Sequence, residues 1–252
     1  MMIAMTSLRV VTYNIHKGVQ GMGPRRRLEI HNLGHAIGQW QADIVCLQEV
    51  RCHNRREARH FPHWPEQPQA DFLAPEGYHA VYRTNAVTRH GEHGNALLTR
   101  WPVLGHWHAD ISDHRLEQRG LLHVAVQVQG QALHVIVVHL GLISSSRVRQ
   151  VARLGHYIER HVPPAAPLVV AGDFNDWSQR LRRPLGGLGL VSHEGGRHPT
   201  FPSRLPIVQL DHVYSRGLQA RHVQVPHGPA WARLSDHLPL LAELAWGAEG
   251  PG

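Results

Sequence analysis

Apolar positions come in short bursts along the whole chain, each burst stopping at polar or turn-forming residues. "LRVVTYNI" (8–15), "DIVCLQEV" (43–50), "GYHAVYR" (77–83), "NALLTR" (95–100) and "GLLHVAVQV" (120–128) are the first of them. "ALHVIVVHL" (132–140), "LVVAGDF" (168–174), "VQLDHVYS" (208–215), "LQARHVQV" (218–225) and "LPLLAEL" (238–244) follow. Length and β-branched content predict strands for these runs. Helical spacing of apolar residues shows at 26–40, 144–161 and, more weakly, 177–185. "QGQ" joins 120–128 to 132–140, which predicts an antiparallel hairpin and excludes an all-parallel sheet. So many strands with so few crossover helices suit two packed mixed sheets, helices outside, better than one sheet. Pro- and Gly-rich stretches at 61–77 and 195–206, and "HGEHGN" at 90–95, read as surface loops.

No composition shift or internal repeat divides the chain. The reading is an N-terminal tail over 1–7, one domain over 8–246 and a disordered "GAEGPG" tail over 247–252. At 252 residues, 42% hydrophobic and 18% charged, the chain has the balance of a globular protein with a large core. No apolar stretch approaches the roughly 20 residues needed to span a bilayer, and "MMIAMTSLRV" carries no secretory signal pattern, so the cytoplasm is the expected compartment. Cys46 sits inside an apolar run and is expected as a buried free thiol; with Cys52 it forms no disulfide framework. A formal charge of +7 provides a field that attracts nucleic acid or anionic lipid. Lys17 is the sole lysine, and arginines cluster at 24–27, 51–59, 147–153 and 180–183.

The polar residues that stop the strands change the picture. Asn14, Glu49, His139, Asp173 with Asn175, and Asp211 each close an apolar run, and Asp236 and His237 open one. Singly, such residues serve turns and caps. Together they are a set that strand ends can deliver to one rim. Glu49, Asp236 and Asn14 offer hard oxygen ligands that suit Mg²⁺ or Mn²⁺. Asp173 and Asn175 are two apart, so an extended backbone would point both to one side. One could orient or deprotonate water, and the other could donate to an oxyanion. His237 could donate to a phosphoryl oxygen or shuttle a proton, with Asp211 fixing its tautomer, and His139 could donate to a second phosphoryl oxygen.

"TYNIHKG", "LQEV", "HGNALLTR", "VVHLG", "AGDFN", "LDHVY" and "SDHLP", in that order over residues 8–240, resemble the endonuclease/exonuclease/phosphatase superfamily of metal-dependent phosphohydrolases. The resemblance implies a four-layer α/β/β/α sandwich of two mixed, largely antiparallel sheets flanked by helices, as in DNase I. It implies Glu49 as the principal metal ligand with Asn14 and Asp236 close by, and Asp173 as the residue that aligns or activates water, with Asp173 favoured over His237 as the general base. Asn175 and His139 look like phosphate donors, and His237 with Asp211 like the paired His and Asp. Asn95 in "HGNA" and Arg119 in "EQRG" sit in family-like motifs, either as phosphate contacts or as buried polar bridges supporting the site. Abasic-site endonucleases of the superfamily carry an acid at the position of His16 and tyrosine at that of His139, which moves this chain away from them.

The expectation is therefore a Mg²⁺-dependent phosphodiesterase acting on nucleic acid, with a phospholipid headgroup or a small soluble phosphoester as the alternative and no obligate protein partner. A zinc hydrolase built on His31 and His35, or on His106 and His108, is the competing class; neither pair has the Glu of an HExxH motif. There is no GxSxG elbow and no P-loop.

Overall fold

A computed structural model describes residues 7–192 and 196–246. The predicted tails, Ser7 apart, lie outside the described residues. From the N-terminus come β1 (Leu8–Asn14), β2 (Val19–Gln20), β3 (Arg27–Leu28), α1 (Ile30–Trp40) and β4 (Ile44–Val50). Short helices α2 (Arg55–His60) and α3 (Gln69–Leu73) precede β5 (His79–Thr88), β6 (Gly91–Thr99), β7 (Val103–Asp110), β8 (Gly120–Val128) and β9 (Gln131–His139). Next are α4 (Ser144–His161), β10 (Leu168–Asp173), α5 (Arg182–Gly186) and β11 (Val191–Ser192). β12 (Asp211–Arg216), β13 (Leu218–Gln224), α6 (Pro229–Leu234) and β14 (Leu240–Trp246) close the chain.

The strands form two six-stranded sheets, ordered β13-β14-β1-β4-β6-β5 and β11-β12-β10-β9-β8-β7. β1 with β4 and β9 with β10 are parallel, and every other pairing in the two sheets is antiparallel. Alternation along each strand feeds two cores at once. Val10, Ile44, Cys46 and Leu97 of the first sheet meet Val124, Val135 and Val169 of the second between the sheets. Val11, Val45 and Leu47 face outward onto Ile30, Leu33 and Ile37 of α1. Ile136, Val138 and Val170 face outward onto Val151, Leu154 and Ile158 of α4. With both faces covered, the strands read as nearly continuous apolar runs. The result is the α/β/β/α sandwich of mixed, largely antiparallel sheets. Among the described residues no helix is long and apolar enough to cross a membrane.

Several local readings are corrected. Residues 91–95 are not a loop but the start of β6, because its glycines serve close packing rather than turning. A Cβ on Gly94 would lie 1.9 Å from the Arg83 carbonyl oxygen across the ladder, and one on Gly91 would lie 2.3 Å from that of His53. α3 occupies part of the predicted 61–77 loop. The helix expected over 26–40 begins only at Ile30, since Arg27 and Leu28 pair with Val19 and Gln20. That expected over 177–185 is reduced to the five residues of α5. β7, α2 and α6 had no sequence signal strong enough to name them. The hairpin of β8 and β9 turns tightly on Gln129 and Gly130, both at positive φ (50° and 87°), as a two-residue type I′ loop requires.

Two buried histidines carry a pH dependence. Burial holds His123, beside His134 and His161, at about 4, and burial likewise holds His212 at about 4. The ordinary value is about 6.5, so both are neutral in the folded chain at pH 7. Their contribution is complete above about 6.5 and is lost as pH falls toward 4, because the unfolded chain takes up the protons first. The melting temperature of metal-free protein should therefore drop across that interval. His212→Phe should make the drop shallower, since the new ring keeps the edge contact with Phe174 and the stack on Tyr214.

Candidate active site

Strand polarity brings the sequence-predicted residues to one rim. β10 runs parallel to β9 and antiparallel to β12, so Asp173 stands in register with both His139 and Asp211. In the other sheet β1 and β4 end side by side, with Asn14 opposite Gln48. β14 begins just beyond Asp236 and His237.

Two of these residues reach the rim by breaking the strand geometry. Glu49 has φ +58°, within an irregularity of the β4–β6 ladder between Leu47 and Val50. Strict alternation would send it to the helix-covered face with Val45 and Leu47; the bulge re-aims it. β10 stops at Asp173, and Asn175 has φ +49°, so the extended alternation expected for this pair is not what positions it. Asn175 instead folds back: its backbone N–H donates to Asp173 Oδ1 (2.9 Å) and its side-chain amide donates to the Leu140 carbonyl (2.9 Å). Backbone strain of this kind concentrates at functional sites.

Asp173 Oδ2 is the hub. Asn14 Nδ2 donates to it at 3.1 Å, and Nε2 of both His139 and His237 stands 3.6 Å away. His237 Nδ1 donates to Asp211 Oδ2 at 2.8 Å, and Thr200 Oγ1 donates to the same oxygen at 2.6 Å. Burial opposes the charged form of His237, but Asp211 and Asp173 outweigh it and push the group up to about 10. An imidazolium thus lies between two carboxylates. Burial raises the Asp173 carboxyl against the pull of His237. Burial, helped by Arg119, holds His139 at about 4. His139 is a neutral imidazole at pH 7.

The oxygen-rich set lies alongside. His16 Nδ1 is 3.2 Å from Asp236 Oδ1 and 4.0 Å from Glu49 Oε2, and Lys17 Nζ is 2.7 Å from Glu49 Oε2. Burial works against ionised Glu49, yet the Lys17 ammonium keeps its carboxyl well below the usual range. Burial also opposes ionised Asp236, and His16 brings it below its ordinary value. Two ionised carboxylates that face one gap filled by a lysine and a histidine fit a divalent cation, because a cation there would replace the charge they now borrow. Asn14 Oδ1 accepts the His16 backbone N–H (3.1 Å) at the edge of this gap. Asp173, Asp211 and His237 also have ligand atoms within 4.8 Å of one another, but the 2.8 Å His–Asp hydrogen bond marks them as a proton-handling group.

Asn95 and Arg119 take supporting positions. Both Asn95 amide hydrogens are spent on the Gly120 and Val137 carbonyls (3.0 and 3.1 Å), so it bridges the two sheets and has no donor left for phosphate. Arg119 donates to the Leu140 carbonyl (3.2 Å) and pairs with Glu117 (3.1 Å). The zinc-hydrolase pairs do not converge on a metal site. His31 turns to the His63 carbonyl, His35 to Gln39, His106 to Arg83 and His108 to Asn85.

The sequence profile described as the Endonuclease/Exonuclease/phosphatase family matches residues 11–237. The chain belongs to the endonuclease/exonuclease/phosphatase family. The uncharacterized protein YbhP of Escherichia coli K12 is 37% identical over 246 residues, covering 94% of this chain and 96% of YbhP. Among solved structures, a family member from Beutenbergia cavernae DSM 12333 superposes with a TM-score of 0.76 at 21% identity, over 96% of this chain and 72% of that one. The human Nocturnin catalytic domain with bound sulfate does so with a TM-score of 0.73 at 19% identity, over 96% of this chain and 94% of that one. These likenesses extend the family's fold to the chain.

Within this family site, three groups were not anticipated from the residues alone. Lys17 and His16 lie in "NIHKG", where the signal available was the only lysine of the chain three positions after Asn14. Thr200 belongs to a segment that read as a plain loop. It is placed by Leu238 N donating to its carbonyl (2.7 Å), while Ser203 N donates to that of Asp236 (2.7 Å). No local pattern announces either contact.

Proposed function

We propose that the protein is a Mg²⁺-dependent phosphodiesterase acting on nucleic acid. The observation that carries the reading is the convergence of Asn14, His139 and His237 on Asp173 Oδ2 beside the ionised Glu49 and Asp236. Glu49 and Asp236, with Asn14, would hold the ion, which when bound supplies Lewis-acid stabilisation of charge on the phosphoryl oxygens. Asp173, raised by burial, takes a proton from the attacking water at Oδ2. His237, protonated and fixed by Asp211, offers its Nε2 proton to a phosphoryl or leaving oxygen. Asn175 spends one amide hydrogen on Leu140 and keeps the second for the phosphoryl group. His139 adds a neutral donor.

Three features support a polynucleotide over a small ester. The chain carries a net charge of +7. Half-exposed Trp177 meets Phe201 edge-on at 5.6 Å, and Phe201 packs on His237 at 5.0 Å, which makes an aromatic platform at the reacting centre. A cavity of about 230 Å³ next to Asn175 is lined by Arg182 and Arg197 with Asp176 and His212. The arginine runs contribute less than their number suggests: Arg26 and Arg51 both meet Glu57, and Arg149 meets Asp113.

Purified protein should be assayed against single- and double-stranded DNA, RNA, phosphatidyl vesicles and bis-p-nitrophenyl phosphate. A chelator should abolish hydrolysis, Mg²⁺ or Mn²⁺ should restore it, and Ca²⁺ should do so poorly. Recovery with Zn²⁺ alone would reject the oxygen-ligand assignment. Hydrolysis confined to the vesicles or to a small ester would replace nucleic acid as the substrate.

A further inference from the structure

A second set of metal-binding donors lies where the chain leaves β4, apart from the oxygen-rich rim. Ligand atoms of Cys52, His53 and Glu92 all lie within 4.8 Å of one another. Around a tetrahedral zinc ion the same three atom types stand about 3.3–3.6 Å apart, given bond lengths of about 2.0–2.3 Å. His53 Nδ1 and Glu92 Oε1 are already 3.7 Å apart. Closing the triad therefore asks its ligand atoms to approach one another by about 1 Å.

The backbone beneath the donors is pinned. Glu92 N donates to the His53 carbonyl (3.3 Å), Arg55 N donates to that of His90 (2.9 Å), and Asn54 forms a β-bridge with Gly91. Only glycine at 91 permits this approach, since a Cβ there would lie 2.3 Å from the His53 oxygen and 2.8 Å from Asn54 Cα. Thr84 Oγ1 donates to Glu92 Oε2 (2.8 Å), which fixes the carboxylate while Oε1 faces His53. Outer partners of this kind orient metal ligands. The buried Tyr82 hydroxyl, with no well-formed hydrogen bond, lies beside Thr84 and the Cys52 backbone.

We propose that Cys52, His53 and Glu92 form a second metal site, which takes Zn²⁺ or a similarly thiophilic divalent ion with water in the fourth position. The donor set selects the ion: a thiolate and an imidazole favour zinc-type metals, whereas the Glu49 and Asp236 rim favours Mg²⁺. On binding, the Cys52 thiol releases its proton to solvent. The site joins the exit of β4 to the start of β6 and so stabilises the fold independently of the reaction.

The test uses reduced, metal-stripped, untagged full-length protein in excess Mg²⁺, titrated with Co²⁺. A near-ultraviolet thiolate-to-cobalt charge-transfer band should rise and saturate at one ion per chain. Cys52→Ser should abolish it, and Glu92→Gln should weaken cobalt binding at least tenfold. Zn²⁺ should displace the band and raise the melting temperature of the wild type but not of Cys52→Ser. Cys46 cannot supply the band, because it is sealed between the sheets. Absence of the band, its survival in Cys52→Ser, or an equal thermal response of both proteins to Zn²⁺ would overturn the assignment.

Discussion

Asp173→Asn will lower turnover of a phosphodiester by about 10² to 10⁴ or more, the range expected when a proton-transfer group is lost. The same variant, metal-free, will melt at or above the wild-type temperature. The first outcome follows from the hub: Oδ2 is the acceptor on which Asn14, His139 and His237 converge, and an amide cannot take the proton from water. The second follows from crowding. Asp173 and Asp211 are both buried carboxylates sharing one imidazolium, and like charges about 4 Å apart repel by roughly 1 to 4 kcal/mol at water-like to surface-like dielectric. Asparagine keeps the turn, because its Oδ1 still accepts the Asn175 N–H. Rate and thermal melting in chelator would be measured together. Loss of rate with a melting temperature many degrees lower would make Asp173 a structural turn residue and remove it from the reaction.

His237→Ala will cost about as much in rate, and Asp211→Asn will cost almost nothing further once His237 is gone. Asp211 reaches the reaction only through His237 Nδ1, at 2.8 Å, and Thr200 holds its Oδ2 in place at 2.6 Å. Asparagine at 211 lacks the negative charge that stabilises the His237 imidazolium, so the ring becomes a weaker proton donor, which is why the single variant should be slow. The rate constant at saturating Mg²⁺ would be compared for wild type, each single variant and the double. Multiplicative losses would mean that the two residues act separately, and the acid–histidine unit would have to be abandoned. The two variants differ in another readout. His237→Ala leaves two buried carboxylates without their shared cation, so Asp173 will take up a proton at higher pH and the acid limb of the rate profile will move upward.

The longer strands were legible because burial on both faces kept their runs apolar, whereas the largely exposed β7 and the two-residue β2, β3 and β11 were not. α4 was legible for the same reason at helical period, with Val151, Leu154 and Ile158 on its buried stripe. The polar residue that ends each strand could be named as well, since a carboxylate or amide at the close of an apolar run is a visible local break. The order of those breaks along the chain carried the family resemblance. Short elements such as α2 and α6 were not legible, because five or six residues hold too little periodicity and tertiary contacts decide them.

The sequence by itself determined which residues close the strands, and with them the two-sheet architecture and the roles open to Asn14, Glu49, Asp173, Asp211 and His237. Only the tertiary structure decided how they meet. The bulge that turns Glu49 to the rim, the left-handed Asn175, and the lysine and histidine set between two carboxylates depend on strands far apart in the chain. So does the commitment of Asn95 to the space between the sheets, which looks from the motif like a phosphate contact. The physical reason is range. Alternation and turn chemistry act over a few residues and are written locally, whereas a hydrogen bond from Asn14 to Asp173 exists only after 159 positions of chain have been folded back across two sheets.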